Sequence, residues 1–142
     1  MPTIKVPARL ENLDVAKEYL KNAIPEAFAA QTSNVLLVAE ELLVNVFSYA
    51  YPEGFEGEAA VSLDVVNFDG EDKLVFKVID WGAPFNPFEE APVPDLTLDI
   101  DSRPVGGLGI FLIKQVSEKQ TYRYIDNANS IWIVFGKTPA SV

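Results

Sequence analysis

The sequence predicts an α+β fold, a two-layer sandwich in which helices cover one face of a mostly antiparallel sheet. Three observations support this fold class. One short strand is followed by two segments with helical spacing, two pairs of β-rich segments are each joined by a turn, and a third helical segment separates those pairs. The 142 residues contain no internal repeat and no linker, so we predict a single domain over residues 1–142.

The N-terminus predicts an edge strand followed by an amphipathic helix. Residues 3–6 alternate polar and apolar side chains and are followed by Pro7, which sheets tolerate at an edge. Over residues 10–24 the apolar side chains recur at helical spacing, with Asn12 or Asp14 as the possible cap. We therefore expect one strand and one helix in this segment.

A second and more apolar helix is predicted from about Asn34 to Tyr51. Thr32 or Ser33 would cap its start, and Pro52 would end it. Apolar residues cover most of its circumference, so this helix should be buried against the sheet.

The middle of the chain predicts a hairpin and a long loop. Residues 60–67 and 73–80 are rich in β-forming residues, and the segment between them contains Asp69-Gly70, a strong hairpin signal. Residues 81–105 follow with five of the ten prolines and no clear periodicity. A segment of that length is usually a functional lid or a disordered loop.

The C-terminal part predicts one more helix and a final hairpin. Glycines within residues 106–109 lead into an apolar helix over 110–116. Residues 121–125 and 130–135 then form two predicted strands joined across 126–129. The element order is therefore β, α, α, β, β, long loop, α, β, β.

Composition and charge exclude several classes of chemistry and partner. The chain has no cysteine and no histidine, which excludes disulfides, cysteine nucleophiles, Ser-His-Asp triads, phosphohistidine chemistry and Cys/His zinc sites. Its 11 basic and 21 acidic residues give a net charge of −10, which opposes binding to nucleic acids and anionic membranes. We see no membrane-spanning run and no signal-peptide pattern, so we predict a cytoplasmic protein.

Glu41 and Asn45 stand four residues apart on the second predicted helix, so their side chains share one face. Polar side chains on an apolar helix need partners when they are buried. The two residues either hydrogen-bond to each other or to water, or they form a site. In such a site Asn45 supplies an oxygen to a hard cation and Glu41 orients or deprotonates a nucleophile. Neighbouring Glu40 points elsewhere and is expected to be solvated.

Two segments with glycine are further candidates for ligand contact. Asp80 ends a predicted strand, and Gly82 follows it. This pair either forms an ordinary turn, or the Asp80 carboxylate accepts a hydrogen bond from an adenine amino group. The run GGLG at 106–109 precedes an apolar helix. These glycines either allow tight packing of a loop-to-helix turn, or their backbone and the helix N-terminus together bind phosphate.

The charge pattern implies a divalent cation if the ligand is a polyphosphate. Residues 22–72 contain ten acidic and no basic residues, and residues 78–102 contain no basic residue either. A helix dipole contributes only ~0.3–1 kcal/mol, up to ~2, whereas micromolar binding needs about −8 kcal/mol. Mg²⁺ takes one or two protein oxygens besides phosphate and water, which suits Asn45, with Arg103 and Lys114 as possible further contacts.

Three segments in this order resemble the nucleotide-binding boxes of the GHKL, or Bergerat-fold, ATPases. They are ELLVN (41–45), DWGAPF (80–85) and GGLGIFLIK (106–114). The last two, together with PARLENLDVAKEYL (7–20) and VAEELLVNVFSYAYP (38–52), look most like the anti-sigma-factor serine kinase branch. The resemblance covers essentially the whole chain. It implies a Bergerat-type sandwich with a mixed, mostly antiparallel sheet and ATP beneath a lid at about 84–105.

The resemblance also implies a role for each box. Glu41 matches the general base and Asn45 the Mg²⁺ ligand of the family. Asp80 matches the adenine-reading acid, and Gly82 is the adjoining glycine. The implied phosphate-binding run comprises Gly106, Gly107, Leu108 and Gly109, in which Gly107 and Gly109 match the family's glycines.

Proteins of this branch usually dimerise, bind a sigma factor and phosphorylate a serine or threonine on a small antagonist protein in bacterial partner-switching. We therefore expect an ATP- and Mg²⁺-dependent serine/threonine protein kinase that forms a homodimer and binds neither nucleic acid nor membrane. The alternative is a module that sequesters a sigma factor or another partner in a nucleotide-dependent manner and transfers little phosphate. A histidine-kinase catalytic domain is disfavoured, since the chain has no phosphoacceptor histidine.

Two features depart from the family pattern. Tyr49 stands before Ala50-Tyr51, where relatives often carry histidine, so a phosphate or partner contact is expected to differ. The lid segment is acidic and rich in proline, so it is expected to hold a nucleotide loosely.

Overall fold

The computed structural model describes residues 3–90 and 107–139, and these residues form the predicted α+β sandwich. The strands are β1 (Thr3–Pro7), β2 (Glu58–Phe68), β3 (Glu71–Asp80), β4 (Lys119–Ile125) and β5 (Ala128–Phe135). They form one sheet in the order β1-β2-β3-β5-β4. Every neighbouring pair of these five strands is antiparallel, so the expected parallel component is not found among them.

The helices lie on one face of this sheet, as predicted. They are α1 (Leu13–Ala23), α2 (Thr32–Asn45), the short α3 (Pro87–Glu90) and α4 (Gly107–Val116). A π-helical turn, Val46–Ala50, prolongs α2. The core between the layers is made of large apolar side chains that are fully buried, among them Leu20, Phe28, Leu42, Leu43, Leu63, Phe76, Ile133 and Phe135.

Both predicted hairpins are present and are closed by two-residue turns. Asp69 and Gly70 have φ values of 50° and 89°, and Asp126 and Asn127 have φ values of 53° and 62°. Turns with positive φ at both central positions match the right-handed twist of the flanking strands, which explains the Asp-Gly signal. The second turn is shorter than the predicted loop across 126–129, because β5 already begins at Ala128.

The predicted caps of the two long helices are wrong. Asn12 precedes α1, but its side chain donates to the Pro7 carbonyl instead of capping the helix. Thr32 is the first residue of α2, and its hydroxyl donates back to the Ala29 carbonyl. A 3₁₀-helical segment, Glu26–Gln31, leads directly into α2, and its carbonyls take the place of a capping side chain.

The helical stretch Glu26–Ala50 is long and apolar enough, by length and composition alone, to cross a membrane. The buried central helix of a folded domain passes the same test. In this chain the apolar side of α2 packs into the core, where Val35, Val38, Ala39, Leu42 and Leu43 are buried.

The predicted lid lies mostly beyond the described residues. Of residues 84–105, the structure describes 84–90, which include the short helix α3. Residues 91–105, Gly106 and the predicted contact Arg103 are outside the described part.

Candidate functional site

The strand register places Asp80 on the helix-covered face of the sheet. Side chains alternate between the two faces of a strand, and Leu74, Phe76 and Val78 of β3 all point into the core. Asp80 is the next member of this series and ends the strand. It pairs directly with Asn129 of β5, so a carboxylate and an amide face each other where the sheet meets the loop.

The Asp80 carboxylate is buried, with 8% of the residue exposed, and it is held through one oxygen. Its Oδ1 accepts hydrogen bonds from the Gly82 N–H and from Asn129 Nδ2, each at 2.9 Å. Burial raises the pKa of Asp80 above its ordinary value near 3.8, and the two hydrogen bonds offset part of this increase. Within the described residues, no hydrogen bond reaches Oδ2, which leaves that oxygen for a ligand.

The backbone after Asp80 packs on the end of the α2 helical run. A Cβ at Gly82 would overlap the carbonyl oxygen of Ala50, so only glycine allows this approach. Next to it, the hydroxyl of Tyr51 accepts a hydrogen bond from the Trp81 N–H at 2.9 Å and donates one to the Glu58 carbonyl at 2.5 Å. The segment carrying Asp80 is therefore fixed to the helix that carries Glu41 and Asn45.

Glu41 contacts the first turn of α4. A Cβ on Gly109 would overlap the Glu41 carboxylate, so the two helices are in contact at this point and a larger residue would make the Glu41 side chain turn away. The first N–H groups of an α-helix lack intrahelical partners, and the helix carries partial positive charge at this end. The carboxylate of Glu41 therefore lies where the electrostatics of α4 favour an anion.

The environments of the two adjacent acids on α2 differ. Glu40 is ion-paired with Lys17 at 3.1 Å, so it is not simply solvated as expected. Glu41 has no ion pair within the described residues. Burial raises the pKa of Glu41 above its ordinary value near 4.5, and the negative charge of Glu40 raises it further. Of the two acids, Glu41 is thus the one with the environment of a functional group.

Asn45 lies between these contacts, one helical turn after Glu41. Its side chain is partly exposed and makes no hydrogen bond in the described part of the chain, so the alternative in which it bonds to Glu41 is not observed. The described residues contain no group of three or more Asp, Glu, His or Cys that could hold a metal ion. A single uncommitted amide oxygen therefore fits a Mg²⁺ that arrives with phosphate and water, which is the usual mode for this ion.

The structure thus brings most of the predicted residues to one helical run. Glu41 touches Gly109, and the Ala50 carbonyl touches Gly82, so residues from all three boxes meet along the segment 41–50. Gly107 and Leu108 belong to the same first turn of α4 as Gly109. Lys114, proposed as a further contact, is exposed on α4.

Two surface depressions lie away from these residues. One, of about 450 Å³, is lined by residues of the first hairpin and of the β5 end, including Lys73 and Glu118, which are paired at 2.9 Å. The other lies between β1 and α1 and includes Val15 and Tyr19. Neither includes a predicted site residue.

Asn129 and Tyr51 are the site residues that the sequence did not reveal. The predicted loop at 126–129 placed Asn129 outside the strand, whereas β5 begins one residue before it. The available signal was the alternation of Ile131, Ile133 and Phe135, which are all buried. Asn129 is the preceding member of this alternating series, so the pattern places it on the same face of β5.

One comparison identifies relatives of this chain. The model of a protein family described as the histidine kinase-like ATPase domain matches residues 6–135. No curated protein matches the chain significantly.

Proposed function

The chain belongs to the histidine kinase-like ATPase domain family, and from this premise we propose that it is an anti-sigma-factor serine/threonine protein kinase that uses ATP and Mg²⁺. In this proposal it phosphorylates an antagonist protein and binds a sigma factor in bacterial partner-switching. It acts as a homodimer in the cytoplasm and binds neither nucleic acid nor membrane directly. The family is one of ATP-binding domains; the acceptor, the partners and the metal are our proposal.

The observation that carries the proposal is the contact between Glu41 and the first turn of α4. If the backbone of this turn binds the terminal phosphates, a carboxylate at the same place is within reach of an acceptor hydroxyl beside them. The raised pKa of Glu41, caused mainly by burial, makes its carboxylate a stronger base. Glu41 would orient the hydroxyl and take its proton.

Asp80 supports adenine as the base. Its Oδ1 is occupied by protein donors, so a purine amino group would donate to Oδ2. A base that presents a carbonyl oxygen at that position would face a buried carboxylate without a hydrogen between them, which costs binding energy. Recognition by a buried acid therefore favours ATP over GTP.

The site needs a cation because its surroundings are acidic. The chain carries a net charge of −10, and Glu41 adds a negative charge at the phosphate end. Asn45 would hold Mg²⁺, which when bound neutralises phosphate charge and favours phosphoryl transfer. The protein's own contribution is then placement: α4 holds the phosphates, and α2 holds the base beside them.

The direct test is incubation with labelled ATP, Mg²⁺ and candidate antagonist proteins. We expect phosphate on a serine or threonine of an antagonist, retained ATP binding in Glu41→Gln, and loss of transfer in that variant. Glu40→Gln is the matched control, because it removes the adjacent carboxylate and should retain transfer. Full transfer by Glu41→Gln would remove Glu41 from the mechanism. Nucleotide-dependent sigma-factor binding without any phosphorylated antagonist would favour the sequestering module instead.

A further inference from the structure

The side chain of Asn129 uses its full hydrogen-bonding capacity within the protein. Nδ2 donates to Asp80 Oδ1 and to the Ala83 carbonyl, each at 2.9 Å. Oδ1 accepts from the Phe85 N–H at 3.0 Å and from the Tyr122 hydroxyl. An amide offers two donor hydrogens and two acceptor positions, and all four are occupied. Asn129 is also 4% exposed, so it has neither a free group nor the surface to contact a ligand itself.

We propose that Asn129 is a positioning residue for purine recognition: by binding Asp80 Oδ1 together with the backbone at Ala83 and Phe85, it turns Oδ2 of Asp80 toward the base. The inference rests on the proposed function, in which Asp80 reads adenine. It extends that function to a residue on another strand that does not touch the nucleotide. Asn129 hydrogen-bonds both to the Asp80 carboxylate and to the backbone of the segment that follows β3, so it holds the two in a fixed relation.

Only an amide meets this set of contacts. Asn129 Nδ2 donates to Asp80 Oδ1 and the Ala83 carbonyl, with the Gly82 carbonyl as a third and longer contact at 3.4 Å. Its Oδ1 meets two donors, the Phe85 N–H and the Tyr122 hydroxyl. Aspartate would place a second carboxylate against Asp80, and leucine would remove one hydrogen bond from Asp80 Oδ1 and one from the Ala83 carbonyl in a buried place. In either case Asp80 loses one of its two donors, and the Gly82 N–H alone no longer fixes the direction of its carboxylate.

The test uses Asn129→Asp, which keeps the shape and exchanges the donor for a charge. Two carboxylates at hydrogen-bond distance cannot both ionise, so the pair is expected to share a proton at lower pH and to repel at higher pH. Within the described residues, the other titratable group whose charge interacts with Asp80 is the hydroxyl of Tyr51, and burial raises its pKa, so it stays protonated over this range.

Binding of ATP and GTP is measured by calorimetry at pH 6 and pH 8. The ratio of the variant Kd to the wild-type Kd at each pH cancels the titration of the nucleotide. We expect ATP to bind at least about ten-fold more weakly to Asn129→Asp at pH 8, with a smaller deficit at pH 6 and a reduced preference for ATP over GTP. Asn67→Asp is the matched control: Asn67 also donates to a carboxylate, Asp72, at 3.1 Å, but on the exposed hairpin. It should bind as the wild type does.

A second measurement needs no nucleotide. Carboxyl NMR titration of Asp80 in the wild type and in Asn129→Leu should give a higher pKa in the variant, because a hydrogen bond to the ionised form is lost. If the wild type binds no adenine nucleotide but this pKa rises, the proposed function fails and Asn129 still positions Asp80. An unchanged Asp80 pKa, or an Asn129→Asp deficit that is independent of pH and equal for ATP and GTP, overturns the inference.

Discussion

The carboxylate of Glu41 occupies the space that a side chain would need at Gly109. The α2 helix therefore contacts the first turn of α4 through the Glu41 carboxylate, which lies against the backbone of Gly109. This contact joins two segments that lie 68 positions apart, 109 minus 41, in the sequence. It brings the acid nearest to the proposed transfer site directly onto the N-terminal end of a helix, where anions are favoured. A phosphate bound at that turn must share the space with Glu41 or displace it.

The first prediction concerns this contact. Gly109→Ala should destabilise the protein by at most about 1 kcal/mol, because the new methyl group overlaps only the far end of the flexible Glu41 side chain, which must turn away. In the Glu41→Ala background the same substitution should cost almost nothing or stabilise slightly, since alanine is favoured over glycine in a helix. Urea unfolding of the wild type, the two single variants and the double variant measures the coupling. Additive effects would mean that the two residues do not touch.

The second prediction concerns the hydroxyl of Tyr51. Tyr51→Phe removes the partner of the Trp81 N–H and of the Glu58 carbonyl, which should cost about 1 kcal/mol and lower Tm by roughly 2–4 °C. It should also weaken ATP binding several-fold, because Trp81 directly follows Asp80. Tyr49→Phe is the control, since Tyr49 is 73% exposed and should be neutral in both measurements. Equal behaviour of the two variants would contradict a specific role for Tyr51.

The architecture was predictable because local signals determine it. Asp69-Gly70 predicts a hairpin with a two-residue turn, because both residue types tolerate positive φ. The apolar residues of α2 predict that this helix is buried against a sheet. The two hairpins determine that β2 pairs with β3 and β4 with β5, whereas the long-range pairings of β1 with β2 and of β3 with β5 appear only in the structure. The helix caps failed because a 3₁₀ segment before Thr32 provides what a capping side chain usually provides.

The site was predictable only in part. Glu41, Asn45, Asp80 and the glycines carry recognisable spacing, but their contacts are long-range. The Asp80–Asn129 pair depends on the register of β3 against β5, and a turn boundary misplaced by two residues concealed it. No local pattern indicates that Tyr51 will bond to Trp81, because that bond depends on where the π-helical turn ends.

The third prediction concerns base recognition. Asp80→Asn keeps an oxygen that can accept from Gly82 and Asn129, so the fold should persist. The group that faces the base changes from an acceptor to a donor, and ATP should bind roughly 10- to 100-fold more weakly in calorimetry with Mg²⁺. The preference for ATP over GTP should shrink or reverse. Unchanged ATP affinity would exclude Asp80 as the adenine-reading acid.

The fourth prediction concerns the pH dependence of stability. The pKa of Asp80 is raised in the folded protein, mainly by burial, so folding disfavours its ionised form. Its contribution to stability is therefore present below the ordinary value near 3.8 and is lost as the pH rises through the higher folded value. Asp80→Asn cannot ionise, so it should have a higher Tm than the wild type at pH 7, and the difference should shrink as the pH approaches 4. All other carboxylates titrate alike in both proteins and cancel in this difference. A Tm difference that stays constant with pH, or grows on acidification, would show that the carboxylate of Asp80 is not buried as described.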